Sequence, residues 1–321
     1  MSDLLENWLR VTYYENVTLI KKNISDNKIL VELEKRMNMR RRDFLISGIG
    51  AAAILQTAGS TALAQNRRRS REPRIGIQLY AVRNDFSKDV PGTIKNMAEL
   101  GYQGVEFWGY GGTPNVFQDW SAEKLRKVLE DNKIRCCGMH INLSALSKEN
   151  IETTIKNNQV LRNRYLNVAS AGKMMESPET IKKFADLLNE SAKKLQEHRM
   201  RVGYHCHGFD FKQVDGVTAW DTLFGQVDKE VMMQLDTGNC AEGGGDPVAV
   251  LKKFPGRAIT LHVKEFKEGP LKADNAVWKE IIATCKELHK TRWYIIEQGE
   301  ASGGGLDIPR ESLKELKKLL A

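Results

Sequence analysis

The sequence predicts an α/β fold, a (β/α)₈ TIM barrel, over residues 74–321. Three observations point there. After Pro73, short apolar runs rich in β-branched residues alternate with amphipathic helical stretches about eight times in roughly 250 residues, the signature of a parallel barrel. No glycine-rich nucleotide fingerprint follows the first strand, which argues against a doubly wound open sheet. The 321 residues are 41% hydrophobic, enough for one large core and not obviously for two.

The elements follow in order. Residues 74–80 are the first strand. A helix opens near Pro91 and Thr93 and runs to Leu100, where Gly101 stops it, and residues 104–108 are the second strand. Ser121 is a good N-cap, since its hydroxyl can accept from an orphan amide of the first turn, for a helix ending at Asn132. The third strand is 134–140, followed by a helix over 148–161 and a fourth strand over 165–169. Ser177 and Pro178 open a long helix to about Glu197, because proline suits the first helical position. The fifth strand starts at Arg201, with a short helix over 217–224. Then come strand 231–236, helix 247–254, strand 258–263, helix 275–288, strand 293–297 and helix 309–320.

The segment before the barrel divides differently. From Met39 the chain reads Met-Arg-Arg-Arg-Asp-Phe-Leu, then an apolar run over 46–55, then Thr-Ala-Leu-Ala-Gln over 61–65. A charged start, a short apolar centre and an Ala-x-Ala end are the parts of an export signal, and Arg41-Arg42-Asp43-Phe44-Leu45 is similar to the twin-arginine type. The expected layout is a signal at 39–64 cleaved after Ala64, a basic linker at 65–73, and export to the periplasm. The apolar run is too short for a comfortable membrane span, so no stable span is expected after cleavage. Residues 1–38 carry no recognisable motif and would lie upstream of a true start at Met39 or Met37.

The formal charge is +8, but part of it lies in the arginines at 67–71, and most other Lys and Arg are interspersed with acids on helical faces. That is a solvated basic surface, and no nucleic-acid partner is expected. The five cysteines, Cys136, Cys137, Cys206, Cys240 and Cys285, are odd in number and scattered. Neither a disulfide framework nor a zinc ribbon fits them. Adjacent Cys136 and Cys137 should face opposite sides of a strand.

Chemistry is expected at the C-terminal ends of barrel strands. Those ends carry Tyr80, Glu106, His140, the group His205, His207 and Asp210, then Asp236, His262 with Lys264, and Glu297. Strand alternation puts His205 and His207 on one face. Carboxylates and imidazoles converging on one rim are costly to bury unless a cation compensates them, and a divalent ion does so. Mn, Mg, Co or Zn all suit such ligands.

The chain resembles the xylose isomerase-like barrel superfamily, and within it the sugar phosphate isomerase/epimerase branch, over about residues 74–320. The resemblance rests on Gly-Tyr-Gln-Gly-Val-Glu (101–106), Tyr-His-Cys-His-Gly-Phe-Asp-Phe (204–211), Leu-Asp-Thr-Gly (235–238), Gly-Gly-Asp-Pro (244–247), Phe-Pro-Gly-Arg (254–257), Leu-His-Val-Lys (261–264) and Ile-Glu-Gln (296–298). It implies a divalent ion held by Asp236, His262 and Glu297. The related branch carries Glu where this chain has Asp210, so Asp210 or His207 is the expected fourth ligand, with His205 also able to serve. Lys264-Glu265 stands where the family commonly has Lys-Asp, and a common Gly-Glu-Gly turn is absent from 267–275. These departures leave the substrate open.

The expected activity is a metal-dependent isomerase, epimerase or keto-glycoside lyase acting on a small carbohydrate. A metal that chelates a carbonyl and its neighbouring hydroxyl acidifies the adjacent C–H, and a side chain removes the proton. Glu106, His140, His205 and Lys264 are the candidates for proton transfer or substrate contact, and Phe107, Trp108 and Tyr110 for a sugar platform. A metal phosphodiesterase of the endonuclease type and a non-catalytic sugar-binding barrel are the alternatives.

Overall fold

Val, Ile and Tyr side chains fit a pleated surface covered on both faces, and the eight apolar runs form eight parallel strands. The computed structural model describes residues 73–321 apart from 215, 268 and 300–302. The barrel strands are β1 (Arg74–Gln78), β2 (Gly104–Tyr110), β3 (Arg135–Ile141), β4 (Tyr165–Val168), β5 (Arg201–His205), β6 (Met232–Gln234), β7 (Thr260–Val263) and β8 (Trp293–Ile296). The helices that follow them are α1 (Val90–Leu100), α2 (Ala122–Asp131), α3 (Ile151–Leu161), α4 (Pro178–Glu197), α5 (Ala219–Gln226), α6 (Pro247–Lys253), α7 (Ala276–Leu288) and α8 (Asp307–Leu320). The extension at 1–38, the signal at 39–64 and all of the basic linker but Pro73 fall outside the described residues. Among the described residues, no helix is long and apolar enough to cross a membrane.

The sheet runs in the order β6-β5-β4-β3-β2-β1-β8-β7, so the expected barrel is present and nearly closed. Its ends meet along a sparse seam. Met233 N donates to Arg257 O (3.0 Å), His262 N donates to Leu235 O (2.9 Å), and Asp236 forms a parallel bridge with His262. The seam is thin because β6 is only three residues long. Asp236 leaves the ladder to cap a short helix, Thr237–Glu242, by accepting from Asn239 N at 2.7 Å. The sequence suggested no element there, since six residues are too few to show a helical period.

Local signals explain most helix ends. Ser177 and Thr180 form a reciprocal capping box around Pro178. Asp89 caps α1, which ends at Gly101 with φ 101°, a conformation that glycine adopts without Cβ strain. The helix expected at 217–224 starts later, because Val217–Thr218 pairs with Gln213–Val214 and Thr218 then caps α5.

The main core lies between strands and helices. On α4 it takes Ile181, Phe184, Leu188 and Leu195, each contributing about 1.5–3 kcal/mol on burial. A smaller cluster of Cys137, Trp293 and Ile295, with Tyr165 against it, is separate from that core. Gly104 makes room there: a Cβ would lie 2.8 Å from the Trp293 ring. Cys136 belongs to the main core and Cys137 to the small cluster, as opposite faces of β3 require. All five cysteines are buried and unpaired.

Candidate metal centre and active site

Side chains two apart on a strand share a face, so polar residues inside the barrel come in tiers. The lower tier centres on Glu106, which is wholly buried. Its Oε1 accepts from Gln234 Nε2 (2.9 Å) and its Oε2 from Gln78 Nε2 (2.9 Å). Gln234 Nε2 also reaches Thr260 Oγ1 (3.1 Å), and Gln234 Oε1 meets His140 Nε2 at 2.6 Å. Gly138 is required beside this carboxylate, since a Cβ would fall 2.1 Å from Glu106 Oε1.

The upper tier is His205, Asp236, His262 and Glu297, each offering one ligand atom, all within 4.8 Å of one another. His262 joins the tiers. Its Nε2 lies 2.5 Å from Glu106 Oε2, and its Nδ1 lies 2.5 Å from Glu297 Oε2 and 3.8 Å from Asp236 Oδ2. Burial works against charge on His262, but Glu106 and Glu297 outweigh it and hold the imidazolium well above the ordinary histidine range. Burial likewise opposes the charge on Glu297, yet His262, His205 and Lys264 hold its carboxyl well below the usual value. Asp236 moves the other way: burial and the neighbouring Glu297 charge push its pKa up. His205 is held well below the histidine range by burial and by the His140 ring.

Two atoms of this tier lack partners. Asp236 Oδ2 and His205 Nδ1 are buried without a hydrogen bond. A buried carboxylate oxygen without a hydrogen bond is costly, and one beside three other ligand atoms suits a cation. The donor set of two carboxylates and two imidazoles fits a divalent ion once His262 gives up the proton on Nδ1, which ion binding would displace.

Of the expected site residues, the structure brings together Glu106, His140, His205, Asp236, His262 and Glu297. It does not bring in Asp210 or His207, and His205 stands where one of them was expected. The reason is local. Residues 208–211 form a 3₁₀ turn that folds the Asp210 carboxylate back onto its own strand end. Both oxygens accept from the Tyr204 hydroxyl (3.1 Å each), and Oδ2 also accepts from His207 N (2.8 Å). Burial pushes the Asp210 carboxyl up to about 7 despite those donors. His207 is half-buried and stacks on Phe209, with its ring 5.2 Å from that of His205.

Lys264 sits at the edge of the group, with Nζ donating to Asn239 Oδ1 (2.9 Å). Burial opposes its charge, but Asp236 and Glu297 outweigh that and raise its pKa. Glu265 holds the following loop, accepting from Phe266 N, Lys272 N and Trp278 Nε1. Phe107 and Tyr110 are core residues and form no platform. Trp108 instead meets the 46% exposed Tyr80 edge-on at 5.8 Å. Sequence reasoning missed Gln78, Gln234 and Asn239. Gln234 carried a signal, being a polar residue inside an apolar strand two positions before Asp236.

Comparison with known proteins agrees with the fold. The chain matches an inosose dehydratase from Clostridium beijerinckii at 30% identity over 98 residues, 30% of this chain and 32% of that enzyme. The match thus spans about a third of that relative's length. A sugar phosphate isomerase/epimerase structure from Parabacteroides distasonis superposes with a TM-score of 0.66 at 20% identity, covering 77% of this chain and 94% of that one. A D-allulose 3-epimerase from Methylomonas sp. bound to D-allulose gives 0.60 at 12% identity, over 77% and 97% of the two chains. These two likenesses concern the fold. The family model for xylose isomerase-like TIM barrels matches residues 94–319, and the chain belongs to that family.

Proposed function

We propose that this protein is a divalent-metal-dependent isomerase, epimerase or lyase of a sugar or keto-sugar. The observation that carries the proposal is the upper tier: four ligand atoms within 4.8 Å, with Asp236 Oδ2 buried and unpartnered. His205, Asp236, His262 and Glu297 would hold the ion. When bound, it polarises a substrate carbonyl and the neighbouring hydroxyl and so acidifies the adjacent C–H.

The chain's own residues do the rest. Glu106 accepts from His262 Nε2 and so turns Nδ1 toward Asp236 and Glu297, which makes it a positioning residue. His207 is half-buried, and burial holds its pKa below the ordinary histidine value. A neutral imidazole beside the group suits proton abstraction. Lys264 keeps its charge and offers it to the oxygen on which negative charge develops. Delivery of a proton to the opposite face by a second donor gives an epimer, and return of the abstracted proton to the neighbouring carbon gives an isomer. Loss of a β-leaving group gives elimination, and the partial match to a dehydratase supports including that outcome.

The export signal expected at 39–64 adds a periplasmic location to the proposal, and with it free sugars or keto-glycosides as substrates. The test is elemental analysis of the purified protein beside an Asp236→Asn/Glu297→Gln double variant, followed by proton exchange with those sugars in D₂O. Near-stoichiometric Mn, Mg, Co or Zn that is lost in the variant is expected. Metal-free protein that stays so after divalent ions are added would overturn the mechanism.

A further inference from the structure

The strand-start end of the barrel, opposite the centre just described, has a concave pocket of 610 Å³. Arg74 opens β1, Arg135 opens β3, and Arg164 immediately precedes β4. All three line the pocket, with Lys133 and Arg162 beside them and Trp293 as an aromatic wall. The one carboxylate in the lining, Glu130, is already engaged by Arg126 and lies 4.0 Å from Arg162. Arg74 places its guanidinium over the Trp293 ring at 5.5 Å. Burial lowers the Arg74 pKa, and the charges of Arg135 and Arg292 lower it further, as expected where like charges crowd.

This differs from the basic residues on the helices. Those alternate with acids and pair at one-turn spacing, as Lys127 does with Asp131 and Lys182 with Asp186. Among the described residues, no ion pair engages Arg74, Lys133, Arg135 or Arg164. Guanidinium forks match phosphate-type oxygens two at a time, and the volume lies in the range of small-molecule sites, about 300–1,000 Å³.

We propose that this pocket is a second binding site, for a small phosphoryl- or sulfuryl-bearing molecule of two or more negative charges. Arg74, Arg135 and Arg164 grip its oxygens, and Lys133 and Arg162 supply the surrounding field. The site shares no residue with the metal centre.

The test is calorimetric titration of the full chain with sodium pyrophosphate, inorganic phosphate and heparin in turn, at ionic strength fixed with NaCl. An Arg135→Gln/Arg164→Gln variant is titrated alongside. Both side chains are exposed, so the variant should fold, which circular dichroism checks. Saturable binding of pyrophosphate with a Kd below about 1 mM, weaker for phosphate, is expected to fall at least about ten-fold in the variant, a loss of about 1.4 kcal/mol. Three results would each overturn the proposal: pyrophosphate binding that does not saturate, binding unchanged in the variant (which would locate it at the metal centre or Lys264), or binding of heparin alone.

Discussion

The two ends of the barrel carry charge under opposite rules. At the strand C-termini, the carboxylates of Glu106, Asp236 and Glu297 surround the one imidazolium of His262, and the group is largely removed from water. At the strand starts, Arg74, Arg135 and Arg164 share one sign and border an open pocket. Burial accounts for the difference: in a low-dielectric interior a charge must be paired or neutralised, whereas near water it need not be. An unpaired atom therefore means more at the buried end. Asp236 Oδ2, buried without a hydrogen bond beside three other ligand atoms, fits a cation, while the arginines fit an anion only because several converge on one concavity.

The largest effect that would sharpen the contrast is loss of the two upper-tier carboxylates. Asp236→Asn/Glu297→Gln should abolish metal binding and cut D₂O exchange by at least about 10³-fold, the combined scale of proton-transfer and metal contributions. Retention of more than a tenth of the exchange rate would place the chemistry elsewhere.

Next comes the lower tier. Glu106→Gln leaves His262 with one carboxylate fewer in a wholly buried site, and breaking such a pair costs about 3–5 kcal/mol. Metal affinity, read by competition with a chromophoric chelator, should fall about 10–100-fold, as for other groups that orient a ligating histidine. Gly138→Ala should resemble it in kind, since the new Cβ would displace the Glu106 carboxylate. Chemical denaturation of both variants measures the stability cost. Wild-type affinity in a folded Glu106→Gln protein would contradict the positioning role.

A smaller effect separates Asp210 from the metal group. Its carboxyl sits at about 7 in the folded chain, against about 3.9 in an unfolded one. Between those values the folded state binds more protons than the unfolded state. The contribution of Asp210 to stability therefore falls as pH rises from about 4 to about 7, by at most about 1.4 kcal/mol per pH unit. Asp210→Asn does not titrate and should remove that slope. Urea midpoints of the two proteins at pH 4.5, 5.5 and 6.5 should converge toward the acid end. A constant difference across the series would mean that Asp210 is already ionised throughout.

These cases mark what was legible in the sequence. The barrel was, because eight apolar runs and caps such as Ser121, Ser177 and Gly101 act locally and survive into the fold. Asp236, His262 and Glu297 were, because each is polar at the end of an apolar strand. Gln78 and Gln234 were passed over, since one polar residue inside an apolar strand has no partner until neighbouring strands bring Glu106 to it. Asp210 enters as an expected ligand through the resemblance, at the position where the related branch carries Glu, but a turn of four residues returns its carboxylate to His207 N. The two register shifts between β2 and β3 are likewise invisible before pairing, and the first falls where Glu106 and Gly138 meet.

The smallest prediction tests the exposed end. Arg164→Gln removes one positive charge from a crowded face and breaks no ion pair among the described residues. Exposed substitutions of this kind usually stay within about 0.5 kcal/mol, and relief of like-charge repulsion sets the sign toward stabilisation. The thermal midpoint at low salt should therefore equal or slightly exceed that of the parent. The gain should shrink as salt rises, because screening already relieves exposed charges separated by more than the Debye length, about 10 Å at 0.1 M. A clear loss of stability at both salt levels would mean that Arg164 has an internal partner, and would shift the charge of this end from ligand capture to the fold itself.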